Sequence, residues 1–217
     1  LIADDHGCAP ALDGRDSRRV PANWEELLDP QEWQLNHEGL PARDAARVIV
    51  LRREPEPAIL LVQGHDFSDA AHSWAFTPGG GLLAGESHRD GACRELAEET
   101  GLQLGVSELA GPVLQRSSRF EFNLVTCRQH ELYFLAILED SAVAKADQLL
   151  DADGELDRTG WTEMEREVLD SLRWWSFQEL DEAVAAGLTV YPHTLPSLAR
   201  QLLAGWDGVL RSLREED

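Results

Sequence analysis

Lysine is almost absent from this chain. Of its 19 Lys and Arg residues only Lys145 is a lysine, and 40 Asp and Glu bring the formal net charge to -21. Binding to nucleic-acid phosphates needs a basic face, so no nucleic-acid partner is expected. A small phosphorylated substrate is not excluded, because a divalent cation bridges acidic side chains and phosphate oxygens. Most of the acidic residues read simply as a source of solubility. Long apolar runs are missing as well. The best, VIVL and AILLV, are strand-sized and far short of the ~18 residues that cross a bilayer, so no membrane partner is expected. The opening LIADDHGCAP lacks the basic segment and apolar core of a signal peptide. Cysteine is scarce: Cys8, Cys93 and Cys127 are odd in number and far apart, with neither a disulfide framework nor a metal-ligand spacing. Free thiols in a reducing cytoplasm are the simplest account. The histidines show no HExxH spacing, so a zinc site is not expected.

What is present suits a globular α/β protein. Hydrophobic residues make up 43% of 217 and charged residues 27%, enough for one domain with extensions. Residues 1–41 are polar and rich in Asp, Arg and Pro, and read as an extension, partly disordered or draped over the domain, with one short helix over Trp24 to Leu35. From residue 42 the pattern changes. ARVIVLRRE and AILLVQGHD, separated by EPEP, read as a hairpin of two central strands, and HSWAFTP as a shorter strand stopped by Pro78 and glycines. GPVLQRSSRFEF and HELYFLAILED are two further strands joined by a polar loop through Cys127. A helix is expected near Glu163 to Ser171, then a short strand RWWSF, a helix QELDEAVAAG ending at Gly187, and a final long helix begun by LPSLARQLLAG. The loose alternation of strands and helices, with hairpins, predicts a mixed sheet. The central domain is expected over 42–186, and 187–217 as a helical segment packed on it.

One segment concentrates charge of a single sign. Ser87 caps a helix running to about Thr100, with Gly101 as its stop. At about 100° per residue, with Glu95 at 0°, Glu98 falls at about 300° and Glu99 at about 40°, so the three share one face. Gly91 falls on that face and leaves it open, while Cys93, Leu96 and Ala97 form the buried stripe. The plain alternative is a solvated acidic face. Two features argue for more. The cluster lies at the helix C-terminus, where the macrodipole disfavours negative charge. And the loop PGGG, Pro78 to Gly81, delivers backbone with little side-chain bulk. Hard oxygen ligands on a rigid element suit Mg²⁺ or Mn²⁺.

The run Gly80, five residues, Glu86, seven residues, Arg94-Glu95-Leu96-x-Glu98-Glu99-x-Gly101-Leu102 resembles the signature of the Nudix hydrolases, and fills all nine of its defined positions. The strand order and RWWSFQEL extend the resemblance over about residues 42–186. It implies an α/β/α sandwich with a mixed β-sheet, and Mg²⁺- or Mn²⁺-dependent hydrolysis of a nucleoside diphosphate linked to another moiety. It implies metal ligation by Glu95, Glu98, Glu99 and the Gly79 carbonyl, with one glutamate able to act as base. Arg94 would orient the glutamates, and Glu86 and the glycines would shape the loop. Many members are homodimers, and the flanking segments here are candidate dimer arms. A cytoplasmic location is expected. The rival is a non-catalytic Nudix-like sensor that binds a nucleotide and regulates a partner; such modules usually show eroded box glutamates, and these are intact.

Other candidates lie outside the box. Family members often supply a further carboxylate from a late loop, and of Glu163, Glu165 and Glu167 the choice falls on Glu165, by its place before RWW. Arg116 and Arg119 lie on a strand expected to approach the box and are candidate phosphate ligands, against the alternative of ordinary surface arginines. His72, Trp74 and Phe76 alternate before PGG; an aromatic there could stack on a base, although core packing is the simpler reading. Trp174 and Trp175 are expected to be structural.

Overall fold

The computed structural model describes residues 19–66, 69–122, 124–139, 143, 146 and 169–216. Its centre is strand β2 (Pro41–Arg52), whose apolar run alternates between two faces. Ala46, Val48 and Val50 enter one core; Ile49 and Leu51 enter the other. The first core is covered by helix α2 (His88–Thr100), through Ala92 and Leu96. The second is covered by α3 (Phe177–Ala185) and α4 (Leu195–Leu202), through Leu180, Leu195, Leu198, Ala199 and Leu202. The result is the expected three-layered α/β/α arrangement around a mixed sheet. Trp174 and Trp175, neighbours on a strand, fall into opposite cores, as a period of two requires.

One edge of β2 pairs in parallel with β7 (Val125–Leu138) along its length, from Ala42 opposite Arg128 to Arg52 opposite Leu138. Beyond β7 lie β6 (Ala110–Phe122), antiparallel, and β10 (Arg211–Glu216), parallel to β6. The other edge of β2 is shared. Residues Pro41 and Ala42 meet β1 (Gln34–Leu35), Ala45 to Arg47 meet β5 (Gly79–Gly81), and only Leu51 and Arg52 meet β3 (Ala58–Asp66). So the hairpin expected of β2 and β3 holds only next to its turn. β3 then diverges, pairing with β4 (Asp69–Phe76) and β8 (Leu169–Ser176). β4 in turn pairs with the two-residue β9 (Thr189–Val190). The divergence opens the gap in which the three glycines of β5 lie flat against β2.

Several expected elements are corrected. The first helix, α1, covers only Trp24–Leu27. Pro30 disfavours helical backbone just before it, and the Asp29 carboxylate instead accepts the Gln31 N–H at 2.8 Å in a turn. That segment is draped as expected: Trp24, Leu28 and Trp33 pack on Val125 and Cys127. Cys127 is buried within β7 opposite Phe120, so the β6–β7 connection is tighter than the expected loop, with Leu124 at φ 63°. Residues 169–171 are strand instead of helix. The final helix is short, stopped by a turn with Gly205 and Gly208 at positive φ, and the chain ends in strand β10 instead of helix.

Candidate active site

Helix α2 begins where Ser87 accepts the Asp90 N–H at 3.2 Å and ends at Gly101, whose left-handed φ of 73° lets its N–H reach the Ala97 carbonyl. The loop before it folds back on the first turn. Glu86 accepts the Leu83 N–H at 3.0 Å, and Gly91 makes room: a Cβ there would lie 2.5 Å from Leu82 Cδ2 and 3.1 Å from Glu86 Oε2. Gly91 is therefore buried beneath the loop, and does not leave the carboxylate face open as its helical angle suggested.

Arg94 gathers this loop and the helix. It donates to both Glu86 oxygens, from Nε at 2.9 Å and Nη2 at 2.8 Å, and Nη2 also reaches the Gly81 carbonyl at 3.0 Å. Nη1 donates to Glu95 at 2.7 Å and to Glu98 at 3.0 Å. Such two-pronged charged bonds are the strong ones, and the bond from Arg94 is the main reason the Glu86 carboxyl is held below its usual range. Glu95 moves the other way: burial raises its carboxyl, Arg94 opposes this, and Glu98 adds to the rise. Glu95 is 14% exposed and Glu98 60%, so the three-glutamate face runs from a sheltered to an open end. Gly80 permits the sheltered end, since a Cβ on it would lie 2.6 Å from Glu95 Oε2.

Glu99 turns to strand β5 and accepts the Gly79 N–H at 2.7 Å. Gly79 has φ 142° and sits opposite Arg47, whose Cα and Cγ would lie 2.6 and 2.7 Å from a Cβ at this position. Arg47 Nη1 donates to the Thr77 carbonyl at 2.9 Å and the Gly79 carbonyl at 3.2 Å, and its Nε to Glu131. Glu131, fully buried, also accepts from Arg116 Nη1 at 2.7 Å, Gln129 Nε2 at 2.8 Å and the Tyr133 hydroxyl at 3.1 Å. Burial alone would raise its carboxyl, but Arg47 and Arg116 outweigh that and hold it down to about 2.

The NUDIX domain model matches residues 41–193, and its box is the loop and helix just described. The chain belongs to the NUDIX domain family. Two curated relatives carry the name RNA pyrophosphohydrolase. That of Bartonella quintana (strain Toulouse) is 36% identical over 72 residues, 32% of this chain and 41% of the relative. That of Bartonella bacilliformis (strain ATCC 35685 / KC583 / Herrer 020/F12,63) is 37% identical over 67 residues, 30% of this chain and 39% of the relative. The alignments thus span about two-fifths of each relative's length. Among solved structures, a MutT protein from Bacillus halodurans is similar at 19% identity and a TM-score of 0.47, over 79% of this chain and 89% of that one. A C. elegans Ap4A hydrolase is similar at 14% identity and a TM-score of 0.41, over 75% and 97%.

The oxygen atoms expected as donors are those of Glu95, Glu98 and Glu99, within two turns of helix, and the Gly79 carbonyl on the adjoining strand. That chemistry fits a hard divalent cation. In the described side chains Arg94 bridges two of these carboxylates and the Gly79 N–H holds the third, and no cluster of three His, Cys, Asp or Glu is closed around a common point among the described residues.

The other sequence candidates fall elsewhere. Glu163, Glu165 and Glu167 lie outside the described residues. Arg116 is buried between Glu131 and Glu215, the latter at 2.5 Å, and Arg119 pairs with Glu216 at 3.0 Å, so both engage carboxylates, those of β10 among them. Of the two readings, phosphate ligand or ordinary arginine, the carboxylate pairing fits the second. Trp74 and Phe76 stack with ring centres 5.1 Å apart and pack on the α2 core, which favours the packing reading. Sequence reasoning missed Arg47 and Glu131. Their signal was a charge inside an apolar strand, in AARVIVL and in HELYFLAIL, where half the positions face a core.

Proposed function

We propose that this NUDIX member is a pyrophosphohydrolase that cleaves the phosphoanhydride of a nucleoside diphosphate linked to another moiety, with Mg²⁺ or Mn²⁺ as cofactor. The single observation that carries this is Arg94, which ties Glu86 of the loop to Glu95 and Glu98 of an intact box. Glu95, Glu98, Glu99 and the Gly79 carbonyl would hold the cation. When bound, it supplies the positive charge that lets a polyanion approach this acidic face and that favours ionisation of water. Glu98, the open end, faces the solvent from which the phosphates would arrive. One of the three glutamates would accept at an Oε the proton of the attacking water. Arg94 keeps the Glu95 and Glu98 carboxylates from drifting apart under their own repulsion, and the Gly79 N–H holds Glu99.

The two curated relatives are named RNA pyrophosphohydrolase, which supports a nucleotide pyrophosphate as the substrate class. A net charge of -21 favours small nucleotides over long RNA. The described residues contain no helix long and apolar enough to cross a membrane, and a cytoplasmic location is part of this proposal. So is a catalytic unit spanning residues 42–186. The test is a panel at fixed Mg²⁺: a nucleoside triphosphate, diadenosine tetraphosphate, ADP-ribose, NADH, coenzyme A and a 5′-triphosphorylated dinucleotide, with products resolved by chromatography. Cleavage of at least one compound at a phosphoanhydride is expected. Tight binding of one with no product would favour a nucleotide sensor instead.

A further inference from the structure

The box opens on strand β5, and the place of β5 is set from outside the box. Gly79 is the joint. Its N–H binds Glu99 of the helix and its carbonyl binds Arg47 of β2. One guanidinium makes three directed contacts there: the Thr77 carbonyl, the Gly79 carbonyl and Glu131. A planar fork fixes these directions relative to one another, whereas an ammonium is a compact charge with rotatable donors. Glu131 in turn receives four donors, from Arg47, Arg116, Gln129 and Tyr133. A carboxylate has about four lone-pair sites, so Glu131 is saturated and has no second orientation to adopt. The path continues to the last strand, where Glu215 accepts from Arg116 Nε at 2.5 Å. Glu215, Arg116, Glu131, Arg47, Gly79 and Glu99 thus form one unbroken series crossing β10, β6, β7, β2, β5 and α2.

Stability does not require this. Burying a carboxylate between two guanidiniums costs desolvation, and apolar residues of similar volume often serve as well or better. What the charges supply, and apolar residues cannot, is a fixed direction for the carbonyls of Thr77 and Gly79. We infer that Arg47, held by Glu131, is a positioning residue for the proposed hydrolysis: it fixes the Gly79 peptide, and through it the Glu99 carboxylate. Its catalytic consequence rests on the hydrolase reading of the site, whereas its mechanical consequence stands on the geometry alone.

Both parts are testable in the full chain with Arg47→Lys, Glu131→Gln and Glu215→Gln. Hydrogen–deuterium exchange reads the mechanical part. In the first two variants, amides from Gly79 to Leu82 should speed up about tenfold more than those of Leu132 to Ala136, which report the change in global stability. Hydrolysis of diadenosine tetraphosphate, or of the panel compound turned over fastest, reads the catalytic part. There kcat should fall about 10- to 100-fold with KM within about twofold, as loss of a supporting partner does. Glu215→Gln, at the far end of the series, should show a smaller loss in the same direction. Exchange from Gly79 to Leu82 that rises no more than that of Leu132 to Ala136 overturns the clamp whatever the activity. Faster exchange with unchanged kcat, or a change in KM alone, overturns the positioning role and makes the series an ordinary structural ion network. A wild-type chain without turnover overturns the hydrolase reading instead, and exchange still decides the clamp. Should Arg47→Lys fail to fold, the two carboxamide variants carry both arms.

Discussion

Gly80→Ala separates the fit of the fold from the fit of the site. A methyl at this position would lie 2.6 Å from Glu95 Oε2, 2.7 Å from Cδ and 2.8 Å from Oε1. Ordinary contact requires the carboxylate to retreat by roughly 1 Å. Nothing in the backbone has to move, because the three nearest atoms are the far end of a flexible side chain. The stability cost should therefore sit at the low end for overpacking, about 1 kcal/mol, or a Tm lower by about 2–4 °C for a chain of this size. The catalytic cost should be much larger. The displaced carboxylate either loses its 2.7 Å bond from Arg94 or drags that guanidinium, and with it Glu98 and Glu86. Misplacement by about 1 Å can cost about 100-fold in rate. The assay is a melting curve beside initial rates on the best panel substrate at saturating Mg²⁺. The neighbouring Gly79→Ala is the contrast. There the methyl meets the Ala46 carbonyl and the Arg47 Cα, which are backbone, at a φ of 142°, and the expected outcome is loss of the fold. A Gly80→Ala protein with both wild-type Tm and wild-type rate would refute the close placement of Glu95 against β5.

Further outcomes follow from the same geometry. Leu180→Ala, which empties a fully buried site on the face opposite α2, should cost about 2–5 kcal/mol in urea unfolding while leaving kcat within about twofold below the transition. Glu131 has a folded carboxyl near 2 against an ordinary 4.5, so its charge contributes stability above pH 4.5 that is lost as pH falls towards 2. The stability gap between wild type and Glu131→Gln, read from urea midpoints, should narrow over that window; a constant gap would argue against a charged role. Removal of divalent cations by EDTA should abolish turnover, and added Mg²⁺ or Mn²⁺ should restore it.

The box was legible in the sequence because its geometry is local. Ser87, Gly101 and the spacing of Glu95, Glu98 and Glu99 define a helix and one of its faces within a few turns. The strands of β2, β6, β7 and β8 were legible through apolar runs, and the three-layered fold through the family resemblance. Three kinds of feature were not. The role of Gly91 depends on Leu82 and Glu86 folding back over it, which helical angles alone do not contain. The divergence of β3 from β2 depends on which strand claims each edge, and the turn signal EPEP reports only the two pairs next to it. The partnership of Arg47 with Glu131 joins residues 84 apart on neighbouring parallel strands, and the clustering of Arg116 and Arg119 with β10 depends on a strand that read as helix. In each case the deciding contact is long-range, while the pattern that was read is short-range.

The most direct measurement is ³¹P NMR of the products formed from the best panel substrate in ¹⁸O-labelled water, for wild type and Glu98→Gln at equal Mg²⁺. The account predicts ¹⁸O in one phosphate product of the wild type, from attack of water on phosphorus, and a rate lower by more than about 100-fold in the folded variant. Wild-type turnover by Glu98→Gln, or products without ¹⁸O on phosphorus, would contradict it.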